Sequence, residues 1–206
     1  MKPICSKEII NNNLYDFIIA ELFKKGIKAT TMDSLAASLQ MSKRTLYEIF
    51  GSKDEMVERV LKKFYKESAE NYKALFESSD NIMEALLKCL RYNRQIINKV
   101  SVDFIKDFAL FKSHKENSCN DSSFKINGFT EMLKMGAQQG YFRNDINFIV
   151  QGKILSIQME ALKRMEELFP SDISIVEVYD SISLGFLRSI ASEKGLKLID
   201  NINITQ

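Results

Sequence analysis

Between Pro3 and Pro170 the chain contains no proline, and only eight glycines are spread over its 206 residues. Proline removes a backbone donor and clashes with the preceding turn, and glycine costs about 1 kcal/mol in a helix interior. A chain this poor in both, and rich in Lys, Glu, Leu, Ile and Met, can propagate helix over most of its length, so the expected fold is all-α. Apolar residues make up 45% and charged residues 27%, ordinary proportions for a globular chain. The length allows one medium domain, or a small one fused to a larger.

Several function classes are set aside early. Met1-Lys2-Pro3 leads into mixed polar sequence without the apolar stretch of a signal peptide, and no apolar run approaches the roughly 18 to 20 residues that cross a bilayer. A cytoplasmic protein with no membrane partner is expected. Cys5, Cys89 and Cys119 are odd in number and scattered, which reads as free thiols and neither a disulfide frame nor a metal site. His114 is the single histidine, which argues against a histidine triad or a multi-histidine metal centre. No glycine loop cradles a phosphate, so neither catalysis nor a cofactor is expected. The net charge of +2 divides unevenly: residues 1–66 hold 12 Lys/Arg against 8 Asp/Glu, and the remainder 17 against 19. A basic N-terminal third on a mildly acidic body fits a nucleic-acid-binding head.

Periodicity places the elements. Ile10, Leu14, Phe17, Ile18 and Leu22 recur at helical steps over 7–25, with Gly26 as C-cap. Thr30-Thr31 offers N-cap hydroxyls for a short helix carrying Leu35, Ala36 and Leu39 inward. Gln40-Met41 forms a tight turn, and Ser42 caps a third short helix with Leu46, Ile49 and Phe50 inward. Gly51 ends it, and Ser52-Lys53-Asp54-Glu55 is a capping box opening a long helix to about Phe76. Further helices are expected over about 81–98 (capped by Asp80), 101–113, from about 124 to Gln139, 145–168 opened by Asp145, and 172–195 opened by Asp172. Residues 113–123 read as a polar loop and 196–206 as a frayed tail.

Two short helices joined by a tight turn and braced by a third form a helix-turn-helix. With Ser42, Leu46, Ile49 and Phe50 turned inward at 100° per residue, Arg44 and Glu48 fall on the opposite face and Thr45 and Tyr47 on its flanks. Arg44 can fork onto guanine O6 and N7. Thr45 and Tyr47 suit phosphates or thymine methyls, and Lys43 and Lys53 suit phosphates, Lys53 in a first turn that itself favours anions. Glu48 either accepts from a cytosine amino group or pairs with Arg44 one turn back.

The runs Thr31-Met32-Asp33-Ser34-Leu35-Ala36, Met41-Ser42-Lys43-Arg44-Thr45-Leu46-Tyr47 and Phe50-Gly51-Ser52-Lys53-Asp54-Glu55, with Leu22-Phe23-Lys24-Lys25-Gly26 before them, resemble the DNA-binding signature of the TetR/AcrR (tetracycline-repressor) family over about residues 9–62. Two departures stand out: Gln40-Met41 where the family often has Gly-Val, and Glu48-Ile49 where it often has an aromatic or His-Tyr pair. The resemblance implies phosphate and base contacts at Thr31, Lys43, Thr45, Tyr47 and Lys53, and the wheel adds Arg44. It also implies a head over 1–52 that continues into the helix starting at 53, so that the boundary falls inside or just after that helix, and a helical effector-binding and dimerisation domain over 53–206. The last two long helices would form a four-helix bundle with a second copy, and Gly140-Tyr141-Phe142-Arg143-Asn144-Asp145 looks like the entry to the penultimate one.

Partners follow from this: a double-stranded DNA operator, a second copy of the chain, and a small hydrophobic effector. Ser181, Gly185 and Ser189 make a small-residue strip with Ile182, Phe186 and Ile190 beside it, which permits close helix approach within the chain or across a two-fold axis. Phe104, Phe108 and Phe111 share a helix face, and Met132, Met135 and Met159 are candidates for the same apolar space, as cavity wall or plain core. An effector there would shift the 101–113 helix and, through it, the helix that begins at Lys53. The rival readings are an enzyme and a helical interaction protein with a degenerate head.

Overall fold

The computed structural model describes the backbone of residues 5–115 and 122–201 and the side chains of residues 13–111 and 128–201. The side chains of Cys5, Ile10, His114 and Cys119, and most of the expected 113–123 loop, fall outside these. Among the described residues the chain is helical, with one isolated bridge between Phe142 and Ala191 in place of any sheet. It divides into two compact units. The first joins Met1–Asn71 with Lys99–Leu110, and the second joins Tyr72–Asn98 with Phe111–Gln206. The first division falls inside the long fourth helix, most of which packs with the head, as does the start of the sixth.

In the first unit, α1 (Cys5–Lys25) ends at Gly26, whose φ of +86° reverses the chain. Thr31 caps α2 (Met32–Ser38), its hydroxyl accepting from the Ser34 amide while the Ser34 hydroxyl accepts from the Thr31 amide. α3 (Lys43–Phe50) is capped by Ser42, and α4 (Lys53–Glu77) by the Ser52/Glu55 exchange that the sequence shows. Ile18, Leu22, Leu35, Leu46, Phe50, Met56, Val57 and Val60 are almost completely buried and form the core. The turn between α2 and α3 is a Schellman motif: Gln40 N–H donates to Ala37 O and Met41 N–H to Ala36 O. That motif requires a left-handed residue, and Gln40 takes it at φ +52°. The departure from glycine noted at this position therefore carries a conformational cost.

In the second unit, α5 (Ile82–Ile97), the end of α6 (Val102–Lys115), α7 (Ser122–Gln138), α8 (Phe148–Met159), a 3-10 turn (Glu160–Arg164), α9 (Met165–Leu168), α10 (Ile175–Ile190) and α11 (Glu193–Asn201) follow. Three expectations are corrected. Asn81, Asn147 and Ser174 cap α5, α8 and α10, where Asp80, Asp145 and Asp172 were expected; Asp145 pairs instead with Arg143 at 2.6 Å. The helix expected over 145–168 is interrupted, because the 3-10 turn brings both Leu162 and Met165 inward at three-residue spacing. The last helix breaks at Ala191–Ser192, and the expected frayed tail is helical to Asn201, held by buried Ile199. Gly195 is not a terminator but a close approach: a Cβ there would lie 2.2 Å from the Tyr141 carbonyl.

Candidate nucleic-acid interface and apolar cavity

α3 is a two-sided element. Leu46 and Phe50 are fully buried on one side, and Phe50 meets the Tyr15 ring at 5.5 Å. Ile49 is half-buried, and Ser42, expected inward, is exposed because its hydroxyl turns to cap the Thr45 amide at 3.0 Å. Lys43, Arg44, Tyr47 and Glu48 face out, and Thr45 is half-buried with its hydroxyl 2.7 Å from that of Ser42. Tyr47 is 42% exposed. The Arg59 guanidinium donates to Ile49 O at 2.9 Å and ties α4 to the end of α3.

The cations of this face are held in place before any DNA arrives. Arg44 Nε donates to Glu48 Oε1 at 2.8 Å, which is the pairing alternative for Glu48. Lys43 Nζ lies 2.7 Å from Asp33 on α2, and that carboxylate's hydrogen bond raises the lysine pKa. Lys53 Nζ donates to the Lys28 carbonyl at 3.1 Å. The Lys28 amide in turn donates to Asp107 of α6 at 2.7 Å, and its ammonium lies 3.5 Å from the same carboxylate. One residue, Lys28, thus links α6 to the residue expected on a phosphate. Neither Asp33 nor Asp107 stands out in sequence, since an acidic residue on a helix surface is ordinary there.

The second unit holds a partly open cavity of about 540 Å³. Of the residues proposed for such a space, Met132 and Met159 line it and Phe104, Phe108, Phe111 and Met135 do not. Phe104 packs on Phe23 and stacks on Phe108 within the first unit, with centroids 4.9 and 5.7 Å apart, and Met135 is half-exposed. Phe186, expected in a dimer face, is buried and walls the cavity. Its neighbours in that strip, Ser181, Gly185 and Ser189, are exposed, and Ile182 is half-buried. Leu86, Leu90, Leu155 and Leu187 complete much of the apolar wall, and Tyr72, Cys89, Asn93, Tyr179 and Ser183 supply its polar atoms. These five were missed in sequence. A signal existed, because Asn93 continues the Leu86–Leu90 stripe of α5, and Ser183 interrupts the apolar inner face of α10.

Among the described residues, no helix is long and apolar enough to cross a membrane, and no cluster of His, Cys, Asp or Glu is arranged to hold a metal ion.

A short helix pinned by two buried side chains, presenting cations and hydroxyls outward and preceded by a second capped helix, defines a helix-turn-helix DNA-binding protein. Residues 18–60 match the model of the bacterial regulatory proteins, tetR family. Over these residues, which hold the helix-turn-helix, the chain is similar to the TetR family of transcription regulators. It is 38% identical to YvaF, an HTH-type transcriptional regulator of Bacillus subtilis, over 78 residues that make up 35% of this chain and only 40% of that relative. The transcriptional repressor KstR2 of Mycobacterium tuberculosis is 22% identical over 143 residues, 65% of this chain and 70% of its own. The solved KstR2 structure matches 88% of this chain and 95% of its own, with a TM-score of 0.53 at 19% identity. A transcriptional regulator from Saccharomonospora viridis, in complex with choline, matches 91% of this chain and all of its own, with a TM-score of 0.68 at 13% identity. At these identities the structural likeness speaks to fold alone.

Proposed function

We propose that this protein is a ligand-responsive repressor that binds a palindromic operator as a homodimer and is released by a small apolar effector. The observation that carries the reading is the pairing, in one chain, of an outward-facing α3 rich in DNA-competent side chains with an apolar cavity in the other unit. Thr31, Lys43, Arg44, Thr45, Tyr47 and Lys53 are the contacts assigned to DNA. The comparison with KstR2, named as a repressor, supports the direction of control.

The dimer reading draws on α8, which exposes Val150, Ile154 and Ile157 (the last at 70%) at helical spacing, on a helix that packs against α10. Single exposed apolar residues are common, but a continuous band marks an interaction face. The exposed Ser181, Gly185 and Ser189 of α10 offer the close approach that a four-helix seam needs, and nothing lies within 4 Å of a Cβ built at Gly185. For the response, the Asp107–Lys28–Lys53 linkage gives α6 a direct hold on the DNA-facing end of α4. Effector binding would shift populations between operator-competent and incompetent arrangements of the head. The protein acts by binding and not by catalysis, in the cytoplasm where its DNA lies.

Fluorescence anisotropy on the DNA upstream of its own gene tests the reading. The expected result is salt-dependent, sequence-selective binding that Tyr47→Ala and Lys53→Ala each weaken by about 1 kcal/mol or more. Binding that is indifferent to sequence and to salt would refute it.

A further inference from the structure

The cavity in the second unit is not a featureless apolar void. Tyr179 and Ser183 lie one turn apart on α10 and so share a face. Both line the cavity, at 5% and 3% exposure. Neither the Tyr179 phenol nor the Ser183 hydroxyl makes a hydrogen bond of good geometry, although the phenol lies close enough to Ser183 and Asn93 for weak ones. A buried hydroxyl without a partner is costly, and such groups are rare in folded proteins. Here two of them belong to residues that line the same space. By contrast the Tyr72 phenol, at the same cavity, donates to the Asn93 side-chain oxygen.

The electrical character of the wall is equally definite. Every described residue lining it is uncharged. Burial pushes Tyr72 up to about 12 and Cys89 up to about 11, so both stay neutral at physiological pH. Arg94, on the same helix as Asn93, is committed to Asp180 at 2.8 Å. An isolated carboxylate or ammonium entering this space would lose its hydration without gaining a counter-charge, which is prohibitive relative to the loss for a neutral group. A cavity of this size takes a ligand of ordinary small-molecule dimensions.

We propose that the effector of this cavity is an uncharged, largely apolar molecule carrying one oxygen-centred polar group, a ketone or hydroxyl, which is received by the Tyr179 phenol and the Ser183 hydroxyl. This rests on the reading of the cavity as the effector site and names the chemistry that it selects. Both hydroxyls can donate to a carbonyl, and either can accept from a ligand hydroxyl. The remaining walls contribute apolar contact and make no discrimination by charge sign, so acids and amines are excluded alike.

The test uses the full chain and four probes of one chain length: 2-decanone, 1-decanol, decanoate and decylammonium. The readout is the rise in melting temperature at equal free concentration, which reports affinity for the folded state. The ketone and alcohol should bind at least tenfold more tightly than the two ions. Ser183→Ala and Tyr179→Phe should each weaken ketone binding about two- to tenfold, while the ligand-free melting temperature stays equal or rises. Four results overturn the proposal: equal or tighter binding of an ion, no stabilisation by any probe, ketone affinity unchanged in both variants, or ligand-free variants that melt lower because the hydroxyls serve as structural bonds. Operator anisotropy run with the same probes separates this from the broader reading. Head-group selection without operator release would leave the ligand class standing and remove the response. Operator release without head-group selection would do the reverse.

Discussion

The Arg44–Glu48 pair decides how the recognition helix reads DNA, and its strength follows from its exposure. The Arg44 side chain is 89% exposed and that of Glu48 62%, so water and salt screen the 2.8 Å contact. Exposed pairs at this spacing contribute about 0.3–0.5 kcal/mol, whereas an arginine forked onto guanine discriminates by about 1–3 kcal/mol. Opening the pair is therefore a small toll on a larger gain, and Arg44 is available to a base. Glu48→Gln removes the competing carboxylate and its repulsion from the phosphates. It should tighten operator binding about twofold for each recognition helix, the equivalent of the pair's own energy, and leave the base preference and the melting temperature nearly unchanged. Arg44→Ala should cost about 1–3 kcal/mol and relax specificity at one base pair of each half-site. Anisotropy titrations against the operator and its single-base variants, at fixed salt, measure both. If Glu48→Gln instead weakens binding by more than about 1 kcal/mol and loses preference at a cytosine, the carboxylate accepts from that base and the argument from pair strength fails.

Two other outcomes follow from the first unit. Asp107→Ala leaves the part-buried Lys28 amide without its acceptor, which should cost about 1–3 kcal/mol and lower the melting temperature by about 2–4 °C for each kcal/mol; it should also change operator affinity, whereas the surface control Asp172→Ala should change neither. Gln40→Gly relieves a left-handed residue at φ +52°, where a side chain costs about 1–2 kcal/mol and glycine returns about 0.4–1 kcal/mol through the unfolded chain. The net expectation is a gain of up to about 1.6 kcal/mol by denaturant unfolding, and a loss would show that the Gln40 side chain makes a contact worth more than the strain.

Much of this protein was legible in its sequence because the relevant physics is local. Proline scarcity, helical periodicity and the capping residues Thr31, Ser42 and Ser52 depend on neighbours within one turn, and the elements of the head appear where those signals place them. The outward face of α3 is likewise a matter of spacing on a single helix, once Leu46 and Phe50 are known to point inward. The Arg44–Glu48 pair is an i,i+4 relation and could be read in advance as one of two alternatives. Where several caps compete, as at Asp80 and Asn81 or Asp172 and Ser174, local pattern alone does not choose, because either residue can present an oxygen to the same amides.

What tertiary structure decided is which faces meet. Phe104 and Phe108 have the composition of a cavity wall, yet their partners are Phe23 and one another, and nothing in their own helix says so. Phe186 sits in a strip that suits a dimer seam, and packing turns it inward to the cavity. Asp107 is joined to Lys28 across 79 positions, and Asp180 to Arg94 across 86, separations over which sequence pattern carries no register. Burial is a property of the assembled helices: it leaves two hydroxyls without a hydrogen bond of good geometry and makes an ordinary tyrosine and serine on α10 the most selective part of the cavity.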